Sequence, residues 1–493
     1  MIMKKFLIIF ISLVLTLSVQ ANEKHLKQFD KWLLKNKFTE FVKLEIGQPE
    51  GKCKSLKKYS NLWYYNECDQ NKKITPNYKI NTYNGRSEIP SKVKKPNYET
   101  LLYYFWEYTN GNWSNNPVYS NIKASDNPYE FKFNLRDDEK IKKQMQKTAL
   151  LSYLLYEDGK IVVDEISPKN KFGKVFTNET KYHSQSVGKS FASYILGHAI
   201  CKGYVSGIDS KLNDWPILEN TLYYNQKIID LINMNAGDEK YFTGIGNTFA
   251  NSSSQYSVTN RTISSVMKKE LNGSNKSVNK WAYNNLLPHL ILNYLIFKAG
   301  EDDFQNLLDD IFRKKIGIGY ETVLVMGEQS TTNNKSTTST FLTTRYDYLR
   351  VARAMLQDWQ NDTCEGKYLK SIYERKVKKN YDYGDKKEAF TNTRSYGGFF
   401  HLEPSGMKKR HIFVMDGYGG QTLIIDFDKG RIVTTLAVHR NFNWMKIALR
   451  KFYKSLSNSL LASYSQIFLV LFDITDVCFM ARLRTKVPIG FLM

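Results

Sequence analysis

The order of regular elements constrains this chain more than any other feature of its sequence. Residues 150–166 alternate around Asp158-Gly159, a pair suited to the tight turn of a two-residue hairpin. Four more strand candidates stand at the far end, at 397–402, 411–415, 422–427 and 431–438. Helical patterns fill the space between. Residues 186–201 carry Val187, Phe191, Tyr194, Ile195 and Ala199 at helical spacing, with Gly203 placed to end the helix. Residues 227–234, 286–299 and 345–359 give three more helices, the second densely apolar. The run STTNNKSTTST at 330–340 reads as a polar, low-complexity loop. Strands, then a block of helices, then strands predict an α+β fold. Its antiparallel sheet has the first and last strands as neighbours, and helices pack against it.

This pattern occupies residues 148–456. Residues 1–21 read as a secretory signal peptide: Lys4 and Lys5, an uncharged apolar run, then small residues ending at Ala21. The apolar run is short for a membrane span, and no later segment reaches that length. The expected mature protein starts near Asn22 and works outside the cytoplasm, in the periplasm or beyond the cell. Residues 22–147 form a polar, aromatic and irregular extension, whose run LLYYFWEY at 101–108 suits the core of its own subdomain. Residues 457–493 form a tail without periodicity, to which no role is assigned. An exported chain permits disulfides. Cys53 and Cys68 are near enough in sequence to pair. Cys201 falls in an apolar helical stretch and is expected as a buried thiol; Cys364 and Cys478 have no obvious partner. No spacing resembles a metal site, so neither metal nor cofactor is expected.

With 71 Lys+Arg against 48 Asp+Glu, the formal charge is +23. The lysines are scattered rather than gathered in an arm, and no nucleic-acid-binding motif accompanies them, so nucleic acid is not an expected partner. A basic surface would favour anionic envelope partners. The oligomeric state is not readable.

Three local patterns carry chemistry. Ser186 and Lys189 stand three residues apart at the start of the first long helix, on one helical face. A serine there gains from the positive end of the helix dipole when an oxyanion forms, and a deprotonated lysine can take its proton. The spacing alone is weak, since Ser55–Lys58, Ser265–Lys268 and several other pairs share it. Placement after a hairpin, opening an apolar helix, singles out Ser186. Tyr283-Asn284-Asn285 precedes the densely apolar helix. A tyrosine beside a lysine can relay protons, and Asn285 can hold the lysine and donate to a carbonyl. Gly417-Tyr418-Gly419-Gly420 lies between two strands, where repeated glycine lets the backbone approach a ligand.

In this order the three patterns resemble the serine β-lactamase and penicillin-binding-protein superfamily. The resemblance is closest to its class C-like branch of esterases and 6-aminohexanoate-dimer hydrolases, and covers about 150–444. It implies a β-lactamase/transpeptidase-like fold with an all-helical subdomain beside the sheet. It further implies Ser186 as nucleophile and Lys189 as base, or as the group that keeps Tyr283 deprotonated. Tyr283 would carry the proton to the leaving group, and Asn285 would orient Lys189 and substrate. The amides of Ser186 and Gly420 would form the oxyanion hole, with Tyr418 and Gly419 lining the substrate side. The family often has Lys-Thr-Gly or His-Thr-Gly where this chain has Gly417-Tyr418-Gly419, so the cation that receives a β-lactam or D-alanine carboxylate is missing there. The expected function is an exported serine hydrolase acting on an ester, an amide or a small peptide. The alternatives are a peptidoglycan D,D-peptidase or penicillin-binding protein, and a non-catalytic envelope binding protein on the same fold.

Other polar residues form no motif. His183 is expected as a solvated loop histidine, and His289 and His439 as satisfied structural residues. Asp238, Glu239 and Asp426 suggest no site, and no aspartate completes a Ser-His-Asp triad.

Overall fold

The computed structural model describes residues 118–452 apart from 149, 171, 174–175, 243–262, 327–336, 380–392, 408, 418, 438–446 and 451. The leader-like segment, Cys53, Cys68, the aromatic run at 101–108, Tyr418, His439 and the tail with Cys478 lie outside the described residues. In chain order the strands are β1 (Val118–Ile122), β2 (Lys132–Phe133), β3 (Leu150–Glu157), β4 (Lys160–Ile166), β5 (Tyr182–His183), β6 (Thr322–Met326), β7 (Thr337–Thr343) and β8 (Val377–Lys378). They continue with β9 (Thr393–Gly397), β10 (Phe400–Pro404), β11 (Ile412–Gly417), β12 (Gln421–Asp426) and β13 (Arg431–Ala437). The helices used below are α1 (Glu139–Lys147), α2 (Val187–Cys201), α3 (Ile228–Ile232), α4 (Leu286–Ala299), α5 (Arg345–Gln360) and α6 (Cys364–Glu374).

Nine strands form one sheet in the order β2-β4-β3-β13-β12-β11-β10-β9-β8. All pairs are antiparallel except β2 with β4. The predicted neighbourhood of first and last strands is present: β3 pairs with β13, Leu155 opposite Val433 and Leu154 opposite Thr434. Asp158 and Gly159 both have positive φ, as the turn of the β3–β4 hairpin requires. Both faces of β3 are buried. Leu151, Leu154 and Tyr156 enter the main core with α2 and α5. Leu150, Tyr153 and Leu155 enter a second core with Ile141 and Met145 of α1. A strand covered on both faces reads as a nearly continuous apolar run, which is why 150–156 shows so little polar interruption.

Two strand expectations need correction. Residues 397–402 do not make one strand. Gly398 and Phe399, both at positive φ, form the two-residue turn between β9 and β10. Phe399 is held in that unfavourable conformation by its amide bond to Ile232 O (2.8 Å), and Gly398 N–H donates to Asn233 Oδ1 (2.9 Å). The polar run ending at Thr340 is not all loop either. Thr337–Thr343 is a fully buried strand in a second, four-stranded sheet ordered β1-β6-β7-β5. Threonine is β-branched and suits a strand, and the hydroxyls find partners: Thr338 donates to Val325 O, and Thr322 bonds Thr343. Through β1, β2 and α1, residues 118–147 take part in both sheets and the second core.

The cysteine expectation also changes. Cys201 and Cys364 are joined in a disulfide, so Cys201 is not a free thiol and Cys364 has a partner. The bond ties the last residue of α2 to the first of α6, across a separation of 163 residues. Around it His198 Nδ1 meets Glu365 at 2.9 Å, and Lys315 bridges Glu365 and Asp358. In the loop-closure picture a cross-link over so long a loop stabilises by up to about 5 kcal/mol. Cys364→Ser, or reduction of the native protein, is therefore expected to lower the urea midpoint clearly, as followed by circular dichroism.

Candidate active site

The turn that presents Ser186 is built from the small sheet. β5 pairs with the end of β7, Tyr182 opposite Thr343. Ser184 then continues the contact, its N–H donating to Phe341 O (2.7 Å) and its Oγ accepting from Phe341 N–H (2.9 Å). The next residue, Gln185, has φ +50. Such a conformation costs a side-chain-bearing residue about 1–3 kcal/mol and persists where the surroundings hold it. Here the Gln185 amide donates to His183 Nδ1 at 2.9 Å. His183 is therefore not a solvated loop residue: it is buried in β5 and fixes the residue that precedes the nucleophile. Its role was not visible in sequence because β7, which buries it, reads as loop. Ser186 occupies the N-cap position of α2 without a side-chain capping bond, so its hydroxyl is left for other partners. The turn's own bonds take the amides of Val187, Gly188 and Lys189.

One helical turn on, Lys189 is buried and its Nζ donates to Ser186 Oγ at 2.7 Å. The same Nζ stands 5.0 Å from the centre of the Tyr283 ring. Three of the residues singled out in sequence thus meet, although Tyr283 comes from the segment just before α4. Tyr283 lies against His401 of β10, stacked at 6.1 Å, and edge-on to Tyr396 of β9. Asn285 is the N-cap residue of α4, but the capping bonds come from its neighbour: Asn284 Oδ1 accepts from Leu286 N and Leu287 N, both at 3.1 Å.

Buried titratable groups crowd this region. Burial, and then the charge of Lys189, pull His289 down to about 3. It is held as a neutral ring whose Nδ1 accepts from Ser339 N–H at 2.8 Å. His401 is pulled well below its ordinary value by burial, then by Lys379 and Lys189. Burial pushes Asp416 up to about 7, against the pull of Lys379, Thr422 and Lys189. Burial pulls Lys379, from the end of β8, down to about 7, opposed by Asp416. No sequence pattern linked Lys379, His401 or Asp416 to the site, because three separate strands bring them there.

β11 ends against the nucleophile turn. A Cβ on Gly417 would lie 2.8 Å from Ser184 O and 3.1 Å from Gln185 Cβ, so glycine is needed for the approach. Gly419 and Gly420 follow at positive φ, but the Gly420 amide donates to Gly417 O at 3.2 Å. That bond closes the turn.

No protein-family model matches the sequence, and no curated protein is similar enough to count as a relative. Solved structures are similar. A candidate 6-aminohexanoate-dimer hydrolase from Bacillus anthracis overlaps with 73% of this chain and 95% of its own, at 13% identity and a TM-score of 0.52. That likeness shows the fold, which is the β-lactamase/transpeptidase-like one that the sequence resemblance implied. A candidate β-lactamase from Bacteroides dorei (13% identity, 64% and 97% covered, TM-score 0.47) and a class C β-lactamase from Rhodobacter sphaeroides (12%, 65% and 97%, 0.42) overlap less. The α+β architecture expected from sequence, an antiparallel sheet flanked by helices, is the one observed.

Within this β-lactamase-like fold the tightest contact at the site is between α2 and β7. A Cβ built on Gly188 would fall 1.8 Å from Ser339 O and 2.8 Å from Ser184 Oγ. Ser339 O is backbone and cannot rotate away. Gly188→Ala is expected to cost about 1–3 kcal/mol or more, as overpacking does, measured by urea denaturation. Ala192→Gly, deeper in the same helix, should cost about 2 kcal/mol, about 1 through propensity and about 0.8 through its buried methyl.

Proposed function

We propose that this chain is a serine hydrolase that forms an acyl-enzyme on Ser186 and cleaves an ester or amide bond outside the cytoplasm. The observation that carries this reading is the buried Lys189 amine, 2.7 Å from Ser186 Oγ and beside the Tyr283 ring. A serine hydroxyl is a weak nucleophile until a neighbouring base takes its proton. Lys189, with Tyr283, is the group in position to do so. Ser186 Oγ attacks the carbonyl carbon, its proton passes to the Lys189–Tyr283 pair, and the bond to the leaving oxygen or nitrogen breaks as that atom receives the proton. Water then repeats the sequence on the acyl group. The amides of Ser186 and Gly420, at the positive end of α2 and in the glycine turn, would hold the oxyanion, with the Gly420 amide exchanging its turn bond to Gly417 O for it. Losing one such donor raises the barrier by about 2.7–4 kcal/mol. Asn285, at the start of α4, is the candidate donor to the substrate carbonyl.

The substrate class follows from charge. Asp416 places a carboxylate next to Gly417, where a carboxylate-reading enzyme needs a cation. Lys379 donates to Thr393 Oγ1, and its charge and that of Asp416 act on each other. Uncharged esters and amides suit this site better than β-lactams or D-alanyl peptides. The B. anthracis neighbour is, by its name, also a hydrolase. Export is supported by the leader-like segment 1–21 and by the Cys201–Cys364 bond, which suits an oxidising compartment.

A fluorophosphonate probe is expected to modify Ser186, located by mass spectrometry, and to leave Ser186→Ala unmodified. Labelling that survives in Ser186→Ala overturns the assignment. Lys189→Ala and Tyr283→Phe should each slow the labelling by about 10²- to 10⁴-fold. Among chromogenic substrates, p-nitrophenyl esters should be turned over and a cephalosporin should not.

A further inference from the structure

In Tyr283-Asn284-Asn285 two half-buried residues flank one that is fully engaged. Asn284 is buried, and both ends of its amide are used. Its oxygen caps the first turn of α4, as described, and its Nδ2 donates to Asp238 Oδ2 at 3.1 Å and towards Ala282 O at 3.4 Å. Asp238 follows the short helix α3 and is wholly buried, its Oδ2 also accepting from Tyr223 Oη–H at 2.8 Å. The stretch around Asp238 is strapped to the stretch around Asn284 at two further points. Ala282 N–H donates to Met234 O (2.8 Å), and Ser277 donates to Gly237 O through both its amide (2.8 Å) and its hydroxyl (2.7 Å).

We infer that Asp238 is a positioning residue for Tyr283: its charged carboxylate grips Asn284, and Asn284 fixes the turn from which the tyrosine reaches Lys189. The inference rests on the hydrolytic reading of Ser186 and Tyr283. A charged acceptor makes bonds about twice as strong as a neutral one, so the grip depends on the state of the carboxyl. Asp238 Oδ1 has no hydrogen-bond partner among the described residues and is the natural seat for a proton. Its arrival turns Oδ2 into an ordinary carbonyl acceptor. Burial pushes this carboxyl up to about 6; the bonds from Tyr223 and Asn284 lower it, and the charge of neighbouring Glu239 raises it. The other polar groups here are Tyr241, which acts on Tyr223, and Lys276, whose chain passes Gly237.

The sign separates activity from stability. The native carboxyl binds its proton more tightly than the ordinary 3.8 of the unfolded chain. Between that value and about 6 the native state therefore holds more protons, and acidification does not remove stability through this group. Loosening of Tyr283 on acidification is then not unfolding.

The test uses the full-length protein and the fluorophosphonate probe on either side of pH 6. In the wild type the maximal labelling rate should fall as Asp238 is protonated, without a fall in melting midpoint. Tyr223→Phe removes one donor to the carboxylate and should move that inflection up by about one pH unit. Asp238→Asn should abolish the inflection and lower the rate above it by about ten- to a hundredfold, with the probe's apparent binding constant unchanged. If Asp238→Asn does not fold, Tyr223→Phe carries the test. The Tyr283 ring signal in ¹³C-tyrosine NMR, assigned by its loss in Tyr283→Phe, should titrate with the same midpoint. That readout stands even where the probe fails to label Ser186, which would count against the hydrolase reading alone. An inflection and a ring signal that keep their wild-type midpoints in Tyr223→Phe overturn the inference, as does an inflection that survives in Asp238→Asn.

Discussion

An amine withdrawn from water and set against a serine hydroxyl is the interaction on which this molecule is organised. A lysine in such a place is costly to keep charged, and its surroundings show how the cost is managed. Two histidines near it, His289 and His401, are held neutral. Burial brings Lys379 and Asp416 both to about 7, and each opposes that burial for the other. The lysine can therefore move a proton without facing an unbalanced positive neighbour. The serine supplies the other half of the arrangement, because its turn is kept in an unfavourable backbone conformation by His183 rather than by its own side chain.

β7 is the rail that makes the geometry possible. On one side it takes the nucleophile turn, through Ser184 with Phe341 and through the close approach of Gly188 to Ser339 O. Further along the same edge, the one away from β6, it takes α4. Asn293 of that helix exchanges two bonds with the backbone of Thr337 (2.9 and 3.0 Å), and His289, one turn earlier, accepts from Ser339 N–H. Asn293 and His289 stand in for a neighbouring strand, so the helix that follows the tyrosine is registered against the same backbone as the helix that follows the serine. The 5.0 Å between the Lys189 amine and the Tyr283 ring is the outcome of both attachments.

How much of this was legible follows from how local each signal is. The nucleophile helix, the apolar helix after Tyr283 and the β3–β4 hairpin are each written within a dozen or so residues, and their periodicity survives folding. The serine, lysine and tyrosine stand in such local patterns too, and the structure brings the three side chains near one another. What was not legible depends on distant partners. β7 looked like loop because its threonines are polar, and only the completed sheet gives their hydroxyls acceptors. His183 looked solvated because β7 looked like loop. Cys201 looked like a free thiol because its partner stands 163 residues away. Asn284 was passed over between two more recognisable neighbours, and Asp238 had no pattern at all, since its meaning lies in a contact with Tyr223 and Asn284 that the sequence does not announce.

The pairing of β3 with β13 has a consequence for how such a chain must be made. Nearly the whole folded unit lies between these two strands, so β3 and β12 keep bare hydrogen-bonding edges until the ribosome has delivered the last strand. Until then both edges can recruit foreign strands, and non-local closure of this kind is slow. Any product ending before Arg431 keeps those edges for good, which makes truncation a cause of aggregation here rather than a simple loss of residues.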